Sequence, residues 1–410
     1  MFTPSHDTRF LTECYESLAA QTYSDWEWVV LLNGEAADWL PPREDARVRM
    51  LRAPKGLRGV GAVKRAVCEA AVGDVLVELD HDDILTPECL AEVVAAFSDD
   101  GMVLAFSDFA QVEPDRSPNY DRFRADHGWV YTSETLADGV TYQRCHAALA
   151  TPHNVGYIWY APNHVRAFRR SAYESVGAYD ASLEILDDQD LMSRLYMVGE
   201  FKHIDKCLYL QRVGVGNTQS DPAINAAIQL QTVEYYRRYI EDLALAWARR
   251  RSLACLRLRT PMWVGDASDD RYEDVVIDPS CPVLPGPDDG VGVVRAYEVL
   301  QRVPDRVGLF NEVYRVLAHA GLLLTETPSS DGRGAFQDPS HVVFYNENSF
   351  WYYTEGRLQD VSPGLKARFQ TSHLRTYFPT PWHEEVKICY VQANLLALKE
   401  GDRQGGMLFW

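Results

Sequence analysis

Long apolar runs, paired cysteines and an excess of basic residues are all missing from this 410-residue sequence. No window approaches the roughly 18 consecutive apolar residues of a membrane-spanning helix, and the first residues lack the basic and apolar regions of a signal peptide. The expectation is a cytoplasmic protein with no integral membrane segment. Eight cysteines (Cys14, Cys68, Cys89, Cys145, Cys207, Cys255, Cys281, Cys389) form no CxxC pair and no zinc-ligand spacing, so they read as reduced, mostly buried thiols. Positive charge is scarce: 40 Lys and Arg stand against 59 Asp and Glu, a net charge of -19. Such a balance repels phosphate backbones and anionic lipid surfaces, which argues against nucleic acid as a partner. Low-complexity tracts and internal repeats are absent too, and with them the case for disorder or a solenoid.

What is present is ample core material, 46% hydrophobic residues, in a chain longer than one hydrophobic core usually supports. Two α/β domains are expected. From the start to about residue 110, helical and strand-like stretches alternate: Leu11–Gln21 is helical, Trp26–Leu32 is an apolar run closed by Asn33-Gly34, Val60–Ala71 is helical, and Val75–Leu79 is a buried strand. Thr86-Pro87 then opens another helix in cap and first-turn order. Residues 111–165 become aromatic and His-rich (Tyr120, Trp129, Tyr142, His146, His153, Tyr157, Trp159, His164), which reads as an acceptor-binding insertion. Domain limits of 1–221, a helical connector over 222–252, and 253–410 follow from the long helical stretch Ala223–Arg250.

The chemistry concentrates in carboxylates. Asp80-His81-Asp82-Asp83 follows the apolar strand Val75-Leu76-Val77-Glu78-Leu79 directly, and ligands of open α/β sheets bind outside the carboxyl ends of strands. Hard cations such as Mg²⁺ or Mn²⁺ take oxygen ligands, often only one or two from the protein. An acidic turn alone is commonplace. Its setting here is not: Ser17-Leu18, Gln21-Thr22-Tyr23 and Asp25-Trp26-Glu27 precede it, Lys64-Arg65 and Gly73-Asp74 lead into it, and Gly177-Ala178-Tyr179-Asp180 and Asp187-Asp188-Gln189-Asp190-Leu191 with Arg194-Leu195 follow.

In that order, residues 1–220 resemble a family 2 glycosyltransferase of the GT-A, Rossmann-like nucleotide-diphospho-sugar transferase fold. The resemblance implies an inverting transfer from a nucleotide-diphosphate sugar, UDP-sugar favoured, to a hydroxyl on a glycan, protein or small molecule, assisted by Mn²⁺ or Mg²⁺. It makes Asp188 the catalytic base. It gives Thr3, Pro4, Ser5, Asn33, Lys64, Asp80, His81 and Asp82 to the nucleotide sugar, with Asp82 as direct metal ligand, Asp80 on the ribose or the metal shell, and Asp83 capping the next helix. Asn33 stands where the family commonly has an Asp for the base, and Lys64 stands at a usual Arg. Gly214 replaces a His that commonly completes the metal shell, with His164 and His203 as possible substitutes. Before Thr3 there is little room for the family's first buried strand.

Residues 253–410 resemble the latter part of a class I methyltransferase, through Val293–Leu300, Asn311–Leu317 and Gly321–Pro328. Adenosylmethionine needs a Gly-rich turn after the first strand, yet only Trp263-Val264-Gly265-Asp266 offers one, and the chain between Leu256 and Asp278 is short for two strands and their helices. A degenerate domain without S-adenosylmethionine is therefore expected. Competing readings are a bifunctional glycosyltransferase/methyltransferase on one glycan, and a non-catalytic glycan-binding or scaffold protein; self-association is open.

Overall fold

The computed structural model describes residues 1–34, 38–123, 125, 128–157, 162–215, 221–261 and 269–401. Two compact units divide the chain, Met1–Tyr239 and Ile240–Trp410, and the division lies within the helix expected as a connector.

The first unit opens with β1 (Phe2–Ser5), α1 (Leu11–Ala19), β2 (Trp28–Leu32) and β3 (Val48–Arg52), and the three strands form a parallel sheet in the order β1-β2-β3. Every residue of β2 is buried, as expected of a parallel strand covered on both faces. The first strand does exist: its four residues pair from Phe2↔Val29 to Ser5↔Leu32, and Phe2 is wholly buried. Then come α2 (Val60–Ala70), β4 (Val75–Val77), β5 (Ile84–Leu85), α3 (Cys89–Ala96), β6 (Met102–Val112), the hairpin β7 (Val130–Thr135) and β8 (Thr141–His146), and α4 (Pro152–Gly156). The unit ends with β9 (Arg166–Arg169), α5 (Arg170–Ser175), α6 (Asp187–Val198), β10 (Glu200–Arg212) and the first part of α7 (Pro222–Arg250). Its second sheet runs β4-β9-β6-β10-β5, with β8 on β6. A bridge between Phe2 and Glu78 joins the two sheets, so the first sheet continues through the strand that ends in the acidic run.

Two expectations change here. Trp129, Tyr142, His153 and Tyr157 are buried, so most of the aromatic segment is core rather than an acceptor surface; Tyr120 is exposed, and Trp159 lies outside the described residues. Thr86-Pro87 precedes α3 by a turn, and its N-cap is Glu88, with no side-chain cap.

One glycine fixes a loop that matters below. Gly61 donates its N–H to Leu183 O at 3.1 Å, and a Cβ added to it would stand 2.1 Å from Asp180 O. Gly61→Ala must push the 180–186 loop away from α2, and overpacking of this kind costs about 1–3 kcal/mol. A lower urea midpoint is the expected readout; an unchanged midpoint would show that the loop yields freely.

The second unit contains β11 (Ala254–Arg259), β12 (Glu273–Val276), β13 (Val291–Tyr297), α8 (Arg306–Val316), β14 (Leu317–Pro328), α9 (Glu347–Thr354), then β15 (Phe369–Tyr377) and β16 (Tyr390–Ala397). The sheet order is β12-β11-β13-β14-β16-β15, parallel as far as β14, with β16 antiparallel to both its neighbours. Between Ala254 and Asp278, β11 and β12 pair in parallel from Leu256↔Glu273 to Arg259↔Val276, with no helix between them among the described residues. Trp263–Asp266 lie outside the described residues. The core is built on Val294, Leu309, Phe310, Val313, Leu323 and Leu395.

Candidate active site

A pocket of about 800 Å³ opens where β1, β2 and the strand through Leu79 end, faced by the start of α2 and the turn into α6. Of the residues expected to bind nucleotide sugar, Pro4, Ser5, Asn33, Lys64, Asp80, His81 and Asp82 line it, and so does Asp188. Thr3 does not. It is fully buried, donating its hydroxyl to Leu79 O at 2.7 Å and accepting from Trp28 Nε1 at 2.8 Å, which makes it a brace between strands.

The acidic turn is held from behind by β10. Tyr209 donates its hydroxyl to Asp83 Oδ2 at 2.7 Å and accepts from Asp80 N at 3.2 Å, while Arg212 N–H reaches Asp83 Oδ1 at 2.6 Å. Asp83 therefore ties the turn to β10 and does not cap α3. The wholly buried Arg212 guanidinium donates to Asp82 O at 2.8 Å and pairs with Glu13 at 2.9 Å. Burial, then the neighbouring carboxylates, push Asp80, Asp82 and Asp83 above the usual carboxyl range, Asp83 furthest.

Under the pocket lies a buried ionic chain. Glu78, 1% exposed, takes Lys64 Nζ at 2.7 Å and Arg166 at 3.4 Å; Lys64 lies 3.1 Å from Asp187, and Arg166 donates to Asp188 Oδ2 at 2.9 Å. Burial opposes the charge on Asp188, but Arg166 and Lys64 outweigh it and hold the carboxyl below its usual range. Burial prevails at Asp187, pushed up to about 6. Lys64, expected at a phosphate, is thus engaged by two carboxylates. Asp190 is structural, pairing with Arg194 and accepting from Tyr239 at 2.7 Å.

Whether a cation suits these residues is answered by the donor set. Asp80, Asp83 and His164 each offer a ligand atom within 4.8 Å of the others, and His164 Nδ1 is buried without a hydrogen-bond partner. The residues fit a divalent ion. Asp82 lines the same pocket but falls outside this grouping. Gly214 has φ +75°, a backbone that favours glycine over a ligating side chain, and Gly216–Thr218 lie outside the described residues. His203 is no substitute, because its Nε2 sits 2.6 Å from Asp108. Asp108 also groups with His146 and Asp205, but Arg144 already bridges Asp108 and Asp205.

Sequence reasoning missed Arg166, and it passed over Glu78 and Tyr209. A lone acid inside the apolar strand Val75–Leu79 was the available signal, since a buried carboxylate requires cations nearby.

Carboxylates, buried cations and an orphaned amide converge at the strand ends of this α/β unit. Residues 3–177, somewhat less than half of the chain, match the family model for Glycosyl transferase family 2. Among curated relatives, the O-antigen biosynthesis protein RfbC of Myxococcus xanthus is 28% identical over 52% of this chain and 16% of its own length. The hyaluronan synthase of Pasteurella multocida is 21% identical over 58% and 24%, and the chondroitin synthase of Escherichia coli 24% identical over 51% and 28%. The chain thus spans under a third of the length of these relatives. Among solved structures, S. aureus TarS 1–349 in complex with UDP-GlcNAc aligns with a TM-score of 0.42 and 13% identity, over 61% of this chain and 70% of that one. The family match and the relatives support a glycosyltransferase. Among the described residues no helix is long and apolar enough to cross a membrane.

Proposed function

We propose that the first unit transfers a sugar, with inversion, from a nucleoside-diphosphate sugar to an acceptor hydroxyl, with Asp188 as general base and Mn²⁺ or Mg²⁺ beside Asp80 and Asp82. What supports this most is that Asn33, Asp80, Asp82 and Asp188, far apart in sequence, face one pocket. Asn33 supports a uracil donor. Its Oδ1 is buried without a partner, and an amide offers one acceptor and one donor group, the complement of the uracil N3–H and O4.

The acceptor hydroxyl gives its proton to Asp188 as its oxygen attacks the anomeric carbon. Arg166 at Oδ2, and the Gln189 N–H at Oδ1 (2.8 Å), hold that carboxylate ionised and fixed. A bound cation would supply charge neutralisation on the departing diphosphate.

Incubation with Mn²⁺ and a panel of nucleotide sugars, following donor hydrolysis and thermal stabilisation, tests the reading. No response from any donor, with or without metal, would sink it and favour a glycan-binding scaffold. Asp82→Ala is expected to weaken donor binding in Mn²⁺ by about 10- to 100-fold and to leave the metal-free level alone; equal losses in both conditions would deny Asp82 a metal-linked role. For the second unit, the mainly parallel sheet keeps a methyltransferase-like domain as a second reading. Titration with S-adenosylmethionine decides it, the expected result being no binding heat.

A further inference from the structure

One face of the second unit's sheet carries polar side chains where a core would carry apolar ones. Tyr297, Glu326, Gln392 and Arg375 pair in one row across β13, β14, β16 and β15, and residues opposite one another share a face. Their chain neighbours Ala296, Ala393 and Leu374 belong to the hydrophobic core, so the row points away from it. All four are half-exposed, and the row stands where the parallel strands β13 and β14 end, the edge at which such sheets take ligands. Pro328, Tyr390 and Tyr377 form the next row on that face. From Tyr390 the rings continue outward, with His383 at 5.9 Å and then Trp382 at 5.0 Å, centroid to centroid. Trp382 is 58% exposed, a large apolar surface to leave in water.

Hydrogen-bonding capacity is left over on the same face. Among the described residues the Glu326 carboxylate makes no hydrogen bond or ion pair. Its row neighbour Gln392 takes Arg375 Nε on Oε1 at 3.3 Å and keeps its amide N–H groups as donors. Asn394, one row inward and 2% exposed, buries an Oδ1 that has no hydrogen-bond partner.

We infer that this edge of the second unit binds a neutral oligosaccharide, with Trp382 and Tyr390 against the carbon faces of its sugar rings and Glu326 and Gln392 on its hydroxyls. A hydroxyl both donates and accepts, and an acceptor beside a donor is its complement. The unfilled carbonyl of Asn394 extends the demand for donors inward. An anionic ligand would instead meet Glu298 and Glu326 at adjoining strand ends, joined by Glu298 N–H to Glu326 O at 2.8 Å, while Arg295 is already paired with Glu241 and Asp269. Such a site would hold the glycan that the first unit extends, a role that rests on the transferase reading and needs no S-adenosylmethionine.

Saturation-transfer nuclear magnetic resonance on the full chain, with neutral hexose and N-acetylhexosamine oligosaccharides and neither donor nor metal present, should show transfer to the sugar protons. Trp382→Ala and Glu326→Gln should each weaken that binding by about tenfold, while donor hydrolysis stays at the parent level. Both side chains are partly exposed, so neither replacement endangers folding. Failure of every oligosaccharide to bind overturns the inference. So does binding that either variant retains in full, which would place the glycan elsewhere on the chain. Displacement of the sugar by S-adenosylmethionine also overturns it and gives the edge to a methyl donor. Binding that the variants lose, in a chain that turns over no donor, upholds this site and sinks the transferase reading; donor turnover without oligosaccharide binding does the reverse.

Discussion

Replacing Asp188 by Asn is expected to cut sugar transfer by about 10²- to 10⁴-fold, the usual worth of a general base, while donor binding changes little. The amide keeps the shape and can still accept from Gln189 N–H, but it cannot take the acceptor's proton. The partner of that carboxylate gives a second readout. Arg166, 2.9 Å away, favours the charged form, so Asp188 stays ionised at neutral pH and the acid limb of the rate lies below the usual carboxylate range. Arg166→Gln removes that support, and the limb should move to higher pH. A merely structural arginine would lower the rate or the stability without moving the limb. Transfer that survives in Asp188→Asn at the parent rate would relocate the base, with Asp187 the next carboxylate in the pocket.

Much of this site was legible before the fold. Asn33 and the acidic turn both follow apolar strands, and the strand ends of an α/β sheet are where ligands bind; Asp188, at the start of a helix, was placed with them only by the family resemblance. Thr3 was misread because a hydroxyl at a strand end can face the ligand or the neighbouring strand, and the choice depends on Trp28, whose indole N–H needs an acceptor once it is buried. Asp83 was misread for a similar reason: its partners Tyr209 and Arg212 lie about 130 residues away, and no local pattern reveals such a bond. The ionic chain was invisible in part because Arg166 resembles an ordinary surface cation until the register of β4 on β9 brings it to Glu78, where Lys64 arrives from α2.

That chain also separates two neighbouring acids by the sign of their effect on stability. Burial opposes the charge on Glu78, yet Lys64 and Arg166 outweigh it and its carboxyl is held low, so it stabilises the fold above its unfolded value and loses that contribution as pH falls. Glu78→Gln leaves Lys64 and Arg166 buried with one carboxylate fewer, and removing one partner of a buried pair costs about 3–5 kcal/mol. Asp187 behaves in the opposite way. Its carboxyl is pushed up to about 6, first by burial and then, against Lys64, by Asp188 and Glu78, so its folded-state charge is a burden above that pH. Stability held by its protonated form is lost as pH rises from about 4 to about 6. Asp187→Asn should therefore be neutral or stabilising at pH 7.5, with the gain disappearing below about pH 4. Urea midpoints of the two variants across pH 4 to 8 give the comparison. If both destabilise equally at pH 7.5, Lys64 depends on Asp187 as much as on Glu78, and the assignment of the buried charge to Glu78 is wrong.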